Sequence, residues 1–263
     1  MIETNKIYCE NCLDTMARMP GNFIDLVVTS PPYDNLRDYK GYDFDFESIA
    51  KSLFRVIKKG GVVVWVVGDQ TVNGSETGTS FKQALYFKEI GFNLHDTMIY
   101  AKNSFPFPPS NRYFNVWEYM FVFSKGKPKT FNLQRVKTVN LQRVKTVGWR
   151  QADGSMEKMK GEMGKDDRID SNIWEFNVGF GKSSNEKEAF LHPATFPEKL
   201  AARHILSWSN EGDLVYDPFS GSGTTCKMAK EHNRNYIGSE ISKEYCQIAE
   251  QRLKILDQNP RFF

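Results

Sequence analysis

Ser30-Pro31-Pro32-Tyr33 is the stretch whose residue types lend themselves most directly to chemistry. Pro31 and Pro32 lack an N–H, so the segment offers mainly acceptors: the Ser30 hydroxyl and the carbonyls of Ser30, Pro31 and Pro32. Tyr33 adds an aromatic face beside them. A stiff group of acceptors next to a ring suits a planar molecule bearing an exocyclic NH2, because the acceptors take the amino hydrogens while the ring stacks on the plane. The same four letters also describe an ordinary Pro-Pro strand exit followed by a surface tyrosine, and a second motif has to separate the two readings.

That motif is Asp217-Pro218-Phe219-Ser220-Gly221-Ser222-Gly223-Thr224-Thr225. It sits between an apolar run and a helical pattern. Its glycines let the backbone approach a ligand closely and leave N–H groups pointing outward at a helix start. Glu240 closes the next apolar run, 17 residues after Gly223, where an acid in a nucleotide-binding βαβ unit accepts from ribose hydroxyls. The Gly-Lys-Ser/Thr of a phosphate loop is absent, as is the third glycine of the dinucleotide fingerprint. An adenosine-type cofactor fits this turn better than a nucleoside triphosphate does.

Both motifs need strands to deliver them. Phe23 to Val28 is an apolar run that reads as a buried parallel strand ending at the Pro-Pro turn. Before it, Asn11 can cap a helix over Leu13 to Met19, which Pro20-Gly21 ends. After it, residues 34–45 have no period, and an amphipathic helix follows over Phe46 to Lys58 until Lys59-Gly60-Gly61 stops it. Further strands are expected over 61–67, 92–102, 118–124, 214–217 and 236–239, and helices over 81–90, 196–209, 221–231 and 243–256. Alternating strands and helices predict an α/β fold with a mostly parallel, doubly wound sheet. The organisation expected is 1–124 and 183–263 as two halves of one domain, with 125–182 inserted between them.

The insert differs in charge from the rest. Lys125 to Arg168 holds 12 Lys and Arg against 5 Asp and Glu, a local +7 in a chain whose net charge is +3. A basic segment on an otherwise slightly acidic protein suits a polyanion, although a solvated basic loop has the same composition. Within it Asn132 to Val139 recurs letter for letter as Asn140 to Val147, a local tandem duplication of the kind that surface segments tolerate. No stretch approaches the ~20 apolar residues of a membrane span. The first residues lack a signal-peptide pattern, so a cytoplasmic location is expected. Cys9 and Cys12 form a Cys-x-x-Cys, but Cys226 and Cys246 supply no second pair, so no structural metal is expected.

Together the motifs resemble those of the amino-methylating DNA methyltransferases, which use S-adenosylmethionine to modify an exocyclic nitrogen. Thr29 to Tyr33 is similar to their catalytic motif, Asp217 to Gly223 to their cofactor motif, and His192-Pro193-Ala194-Thr195-Phe196-Pro197 to the segment that precedes the latter. The catalytic motif comes first and the cofactor motif last, as in the permuted beta order, where a target-recognition region lies between them. Near Asn11 the family often has Gly-Asp, and this chain has Glu10-Asn11.

The resemblance implies a Rossmann-like methyltransferase fold and a restriction-modification setting, with duplex DNA as partner and a cognate endonuclease as a further one; it leaves monomer and homodimer open. It implies S-adenosylmethionine held by Asn11, Phe196, Asp217, Pro218, Phe219, Gly221, Gly223, Thr224 and Glu240. It implies a flipped base held by Ser30, Pro31, Pro32 and Tyr33, and DNA contacts from Arg37, Arg135, Lys137, Arg143, Lys145 and Arg150. Ser30 at the first motif position resembles the cytosine-N4 branch more than the adenine-N6 branch, with adenine N6 as the alternative and amide or RNA N-methylation behind both. An inert DNA-binding module is disfavoured by the intact Ser30, Tyr33, Gly221, Gly223 and Glu240. None of the four cysteines follows a proline, as the nucleophile of a cytosine-C5 enzyme would.

Overall fold

The computed structural model describes residues 2–32, 44–103, 111–113, 115–137, 148–158, 167–177 and 197–258. Its elements in chain order begin with β1 (Lys6–Tyr8), α1 (Cys12–Ala17), β2 (Ile24–Thr29), α2 (Phe46–Val56), β3 (Ile57–Val67), β4 (Thr71–Val72) and β5 (Ser75–Glu76). Next come α3 (Thr79–Glu89), β6 (Asn93–Lys102), β7 (Trp117–Ser124), β8 (Arg135–Lys137), β9 (Gly148–Arg150), β10 (Met156–Lys158), β11 (Asp167–Ile169) and β12 (Ile173–Phe176). The last are α4 (Glu198–Trp208), β13 (Leu214–Asp217), α5 (Thr224–Glu231), β14 (Asn235–Ser239) and α6 (Lys243–Gln258).

Among the described residues, eight strands form one sheet in the order β1-β14-β13-β2-β3-β7-β6-β12. Within it only β7 runs against its neighbours, pairing antiparallel with both β3 and β6. The doubly wound, mostly parallel α/β fold expected from the sequence is what forms. The apolar runs explain why both faces are covered. In β3, Val62, Val64 and Val66 join the core with Leu200, Ala201 and Ile205 of α4. Val63, Trp65 and Val67 join the core of the other face with Leu53 of α2 and Phe87 of α3. The order in which the chain proceeds along the sheet reverses between the parallel strands β2 and β13: β3 follows β2 on one side, and β14 follows β13 on the other. Ligands of open α/β sheets bind at such a switch point.

Two local readings change. Gly60-Gly61 does not break the chain between helix and strand, because β3 already begins at Ile57. The glycines serve close contact: a Cβ on Gly61 would lie 2.8 Å from the Asp25 carbonyl oxygen, and Gly60 sits at φ 83° with its N–H on the Lys125 carbonyl. The second change is β12, which falls in a stretch whose composition suggested irregular chain. It pairs in parallel with β6 at the sheet edge and buries Trp174 and Phe176 while Ile173 and Glu175 stay exposed.

Chain packing separates residues 133–171 as a small unit from the rest of the molecule. This unit is narrower than the compositional insert 125–182, because 125–132 and β12 pack with the main domain. Among its described residues it consists of two short antiparallel ribbons, β8 with β11 and β9 with β10. The second copy of the duplicated octet lies outside the described residues, and the first contributes β8.

Candidate active site

The catalytic candidates leave the carboxyl end of β2. The strand ends at Thr29 and two prolines follow, which cannot continue the ladder. Ser30 and Pro32 are half-buried and Pro31 is buried, so the acceptor cluster sits partly inside the protein. Tyr33 lies outside the described residues, as do Arg37, Arg143, Lys145 and Phe196.

The glycine turn leaves the carboxyl end of β13, the strand next to β2. The Ser220 N–H donates to the Ser239 carbonyl (2.9 Å) and the Gly223 N–H to the Ser220 carbonyl (2.7 Å), which closes a tight turn before α5. Gly221 and Gly223 adopt φ of 50° and 78°, in the left-handed region. At Gly223 the requirement is double, because a Cβ would lie 2.7 Å from the Ala249 Cβ of α6. Pro218 and Thr224 are buried within the turn, and Phe219 is half-buried. The Phe219 ring meets Phe44 and Trp65 edge-on, with centroids 5.6 and 6.1 Å away, so an aromatic wall flanks the turn.

Glu240 follows β14 directly. Its carboxylate accepts from the N–H groups of Gly221 (2.8 Å) and Ser242 (2.8 Å), which ties it to the glycine turn. Burial raises its pKa, and the hydrogen bonds from Ser242, Gly221 and Ile241 act in the opposite sense. A carboxylate offers about four acceptor positions, so this half-buried group retains capacity for a ligand hydroxyl. Asn11 is exposed, and its side-chain oxygen caps α1 by accepting from the Leu13 N–H (2.8 Å).

Asp217 differs from its neighbours. It is only 2% exposed, and its Oδ1 accepts from the Thr29 hydroxyl (2.6 Å) and the Phe219 N–H (3.0 Å). Burial pushes its carboxyl up to about 6, against the stabilising hydrogen bonds from Thr29, Phe219 and Thr225.

Beneath the turn lies a charged group that the motifs did not reveal. Arg252 of α6, fully buried, donates to the Ser222 carbonyl (2.5 Å), to the hydroxyls of Ser222 and Thr224 (both 3.2 Å) and to Glu198 (2.7 Å). Lys227, 2% exposed, donates to the same Glu198 oxygen (2.9 Å). The sequence carried a signal for its burial but not for its partners: Arg252 lies on the helix stripe of Ile248, Ala249 and Leu253, where an unpaired charge could not be buried.

Of the DNA-contact candidates, Arg135 is exposed on β8, and Lys137 and Arg150 belong to β8 and β9. All three are part of the small unit, whereas both turns belong to the main domain.

Comparison with known proteins agrees with this arrangement. Residues 24–251 match the N6/N4 methyltransferase family, described as DNA methylase. The chain is 61% identical over 239 residues to the orphan methyltransferase M.BamHII of Bacillus amyloliquefaciens, covering 88% of this chain and 89% of that one. Its fold is similar to the PvuII DNA methyltransferase (cytosine-N4-specific), with a TM-score of 0.71, 22% identity and coverage of 94% of this chain and 85% of that one. It is also similar to TTHA0409 of Thermus thermophilus, solved in complex with S-adenosyl-L-methionine, with a TM-score of 0.66, 24% identity and coverage of 98% and 95%. A strand-delivered Ser-Pro-Pro turn beside a glycine turn, and a family match spanning most of the chain, lead to one conclusion: this protein belongs to the DNA methylase family of N6/N4 methyltransferases.

Proposed function

We propose that this protein methylates the exocyclic N4 of cytosine at a specific duplex DNA sequence, with S-adenosylmethionine as methyl donor. The observation that carries the reading is the adjacency of the two turns, which leave neighbouring strands at the switch point and are joined by the Thr29–Asp217 hydrogen bond. S-adenosylmethionine supplies an electrophilic methyl group. The donor set fits it: the Glu240 carboxylate suits ribose hydroxyls, the Gly221–Gly223 backbone allows close approach, and the Phe219 ring supplies an apolar surface. Pro218 and Thr224 shape the turn. Asn11 and Phe196 are assigned to the same ligand from the sequence.

The target base leaves the duplex, because pairing otherwise engages its amino group. The Ser30 hydroxyl and the Pro31 carbonyl accept the amino hydrogens, and Tyr33, placed next by the sequence, stacks on the ring. Holding both hydrogens turns the nitrogen lone pair out of conjugation and aims it at an electrophile. Positioning and fixed dipoles then supply most of the rate enhancement. No thiol adduct is required. Serine at position 30, neutral and able to donate toward cytosine N3 as well as accept, favours cytosine over adenine. Arg37, Arg135, Lys137, Arg143, Lys145 and Arg150 are assigned to the DNA backbone, and Gln and Asn side chains of the same insert to base edges.

The test is transfer of labelled methyl groups to unmethylated genomic DNA, followed by digestion to nucleosides. Label in N4-methylcytosine is the expected result, lost in Ser30→Ala. Label in N6-methyladenine would overturn the choice of base. Bound cofactor without labelled DNA would overturn the reading as a whole.

A further inference from the structure

The backbone ladder between the two site-bearing strands stops short of the site. Pairing of β13 with β2 is confined to Val215–Leu26 and Tyr216–Val27, whereas on its other side β2 stays paired with β3 out to Thr29–Trp65. The strands therefore part just where the two turns leave them, as a switch point requires. Side chains bridge the gap. The Thr29 hydroxyl crosses from β2 to the Asp217 carboxylate, and the Thr225 hydroxyl crosses back from α5 to the Val28 carbonyl (3.1 Å). Asp217 also accepts from the Phe219 N–H, so one carboxylate anchors both the end of β2 and the start of the glycine turn. Thr29 and Thr225 are fully buried and Asp217 nearly so. Hydrogen bonds to a carboxylate are among the stronger ones, and burial shields these from competing water.

We propose that Thr29, Asp217 and Thr225 form a clasp that fixes the separation of the base-holding and cofactor-holding turns, so that they govern the rate of methyl transfer and not the affinity for either reactant. The proposal rests on the functional reading above. It gives Asp217 a positioning role in place of cofactor contact, because a carboxylate only 2% exposed presents almost no surface to a ligand. The physical basis is the steep dependence of a displacement on distance: a misplacement of about 1 Å lowers the rate by about a hundredfold. Deleting one tie relaxes the separation by less than that, and an effect of about tenfold follows.

Steady-state kinetics with labelled S-adenosylmethionine and unmethylated genomic DNA test it in Thr29→Val, Thr225→Val and the double variant. Valine keeps the volume and removes the hydroxyl. The expected result is a kcat lowered about tenfold in each single variant, with KM for both reactants and cofactor affinity within about twofold of wild type. Thr29→Ser restores kcat, and the double variant departs from additivity because both ties act on one separation. Unchanged kcat, a loss confined to KM, or failure of serine to rescue would each overturn the clasp. If Thr29→Val does not fold, Thr225→Val and Thr29→Ser decide the matter. Absence of DNA methylation by wild type would sink the functional reading itself, whereas full activity in the valine variants would remove only the clasp.

Discussion

The carboxyl edge of the main sheet and the small unit of residues 133–171 are built on opposite principles. At the sheet edge, hydroxyls, a carboxylate and a guanidinium are buried and paired, as in Thr29–Asp217 and Arg252–Ser222. Moving any one group there disturbs several. The small unit consists, among its described residues, of three-residue strands in two separate ribbons, with Gln151, Ala152, Asp153 and Arg135 exposed. Among those residues little depends on burial. Under the function proposed above the difference would suit two tasks: methyl transfer needs one fixed geometry, whereas contact with different DNA sequences needs side chains that can be exchanged without unfolding the chain.

Matched glycines give the sharpest test of this contrast. Gly223 and Gly154 both adopt positive φ, 78° and 86°, but a Cβ at Gly223 meets Ala249 at 2.7 Å, while at Gly154 nothing lies within 4 Å. Gly223→Ala should lose about 4 kcal/mol, from backbone strain and overpacking together. Gly154→Ala should lose about 1 kcal/mol, from backbone strain alone. Denaturant unfolding of both proteins measures the gap, and equal losses would break the comparison.

Arg252→Met comes next. It keeps bulk but removes the donor from Ser222 and Thr224 and one of the cations on Glu198. A loss of about 3 kcal/mol is expected, together with weaker cofactor binding by calorimetry. A stable variant that binds cofactor normally would show the buried charge to be dispensable.

The third test uses pH. Asp217 stands at about 6 in the folded chain against an ordinary 3.8, because burial penalises its charge. A carboxyl raised by folding contributes stability that is fully present below its unfolded value and is lost as pH rises through its folded value. His204, held down to about 3 by burial and by Arg203, runs the other way, so wild type and Asp217→Asn must be compared at each pH. The stability of the variant relative to wild type should fall by about 2 kcal/mol between pH 7 and pH 4. A difference independent of pH would mean that Asp217 does not titrate in this window.

Arg135→Ala should have the smallest effect on folding, under about 0.5 kcal/mol, because the residue is exposed. If it meets a phosphate, DNA affinity should weaken at all sequences alike, and the slope of log K against log salt should shrink by about 1. A change of preferred sequence without a change of slope would make it a base reader instead.

Fold and site were unequally legible in the chain. Apolar runs such as Val62 to Val67 announce a strand buried on both faces, because the run is short for a helix, almost all β-branched and bounded by Gly61 and Gly68. The strand Ile173–Phe176 was missed, since four alternating residues within polar chain carry too short a period to stand out. The positions of Ser30, Gly221 and Glu240 at strand ends were readable because they depend on local turns. Glu198, Lys227 and Arg252 were not, because each belongs to a different helix and only packing brings them together.

By itself the sequence determined the class of fold, the order of its two motifs and the chemistry those motifs suit, since each depends on neighbours within a few residues and on the period of apolar side chains. Tertiary structure alone decided that Asp217 faces Thr29 across 188 positions of chain and that Arg252 lies under the glycine turn. Such contacts are set by strand order and by where a ladder ends, and neither leaves a mark on the local pattern of residues.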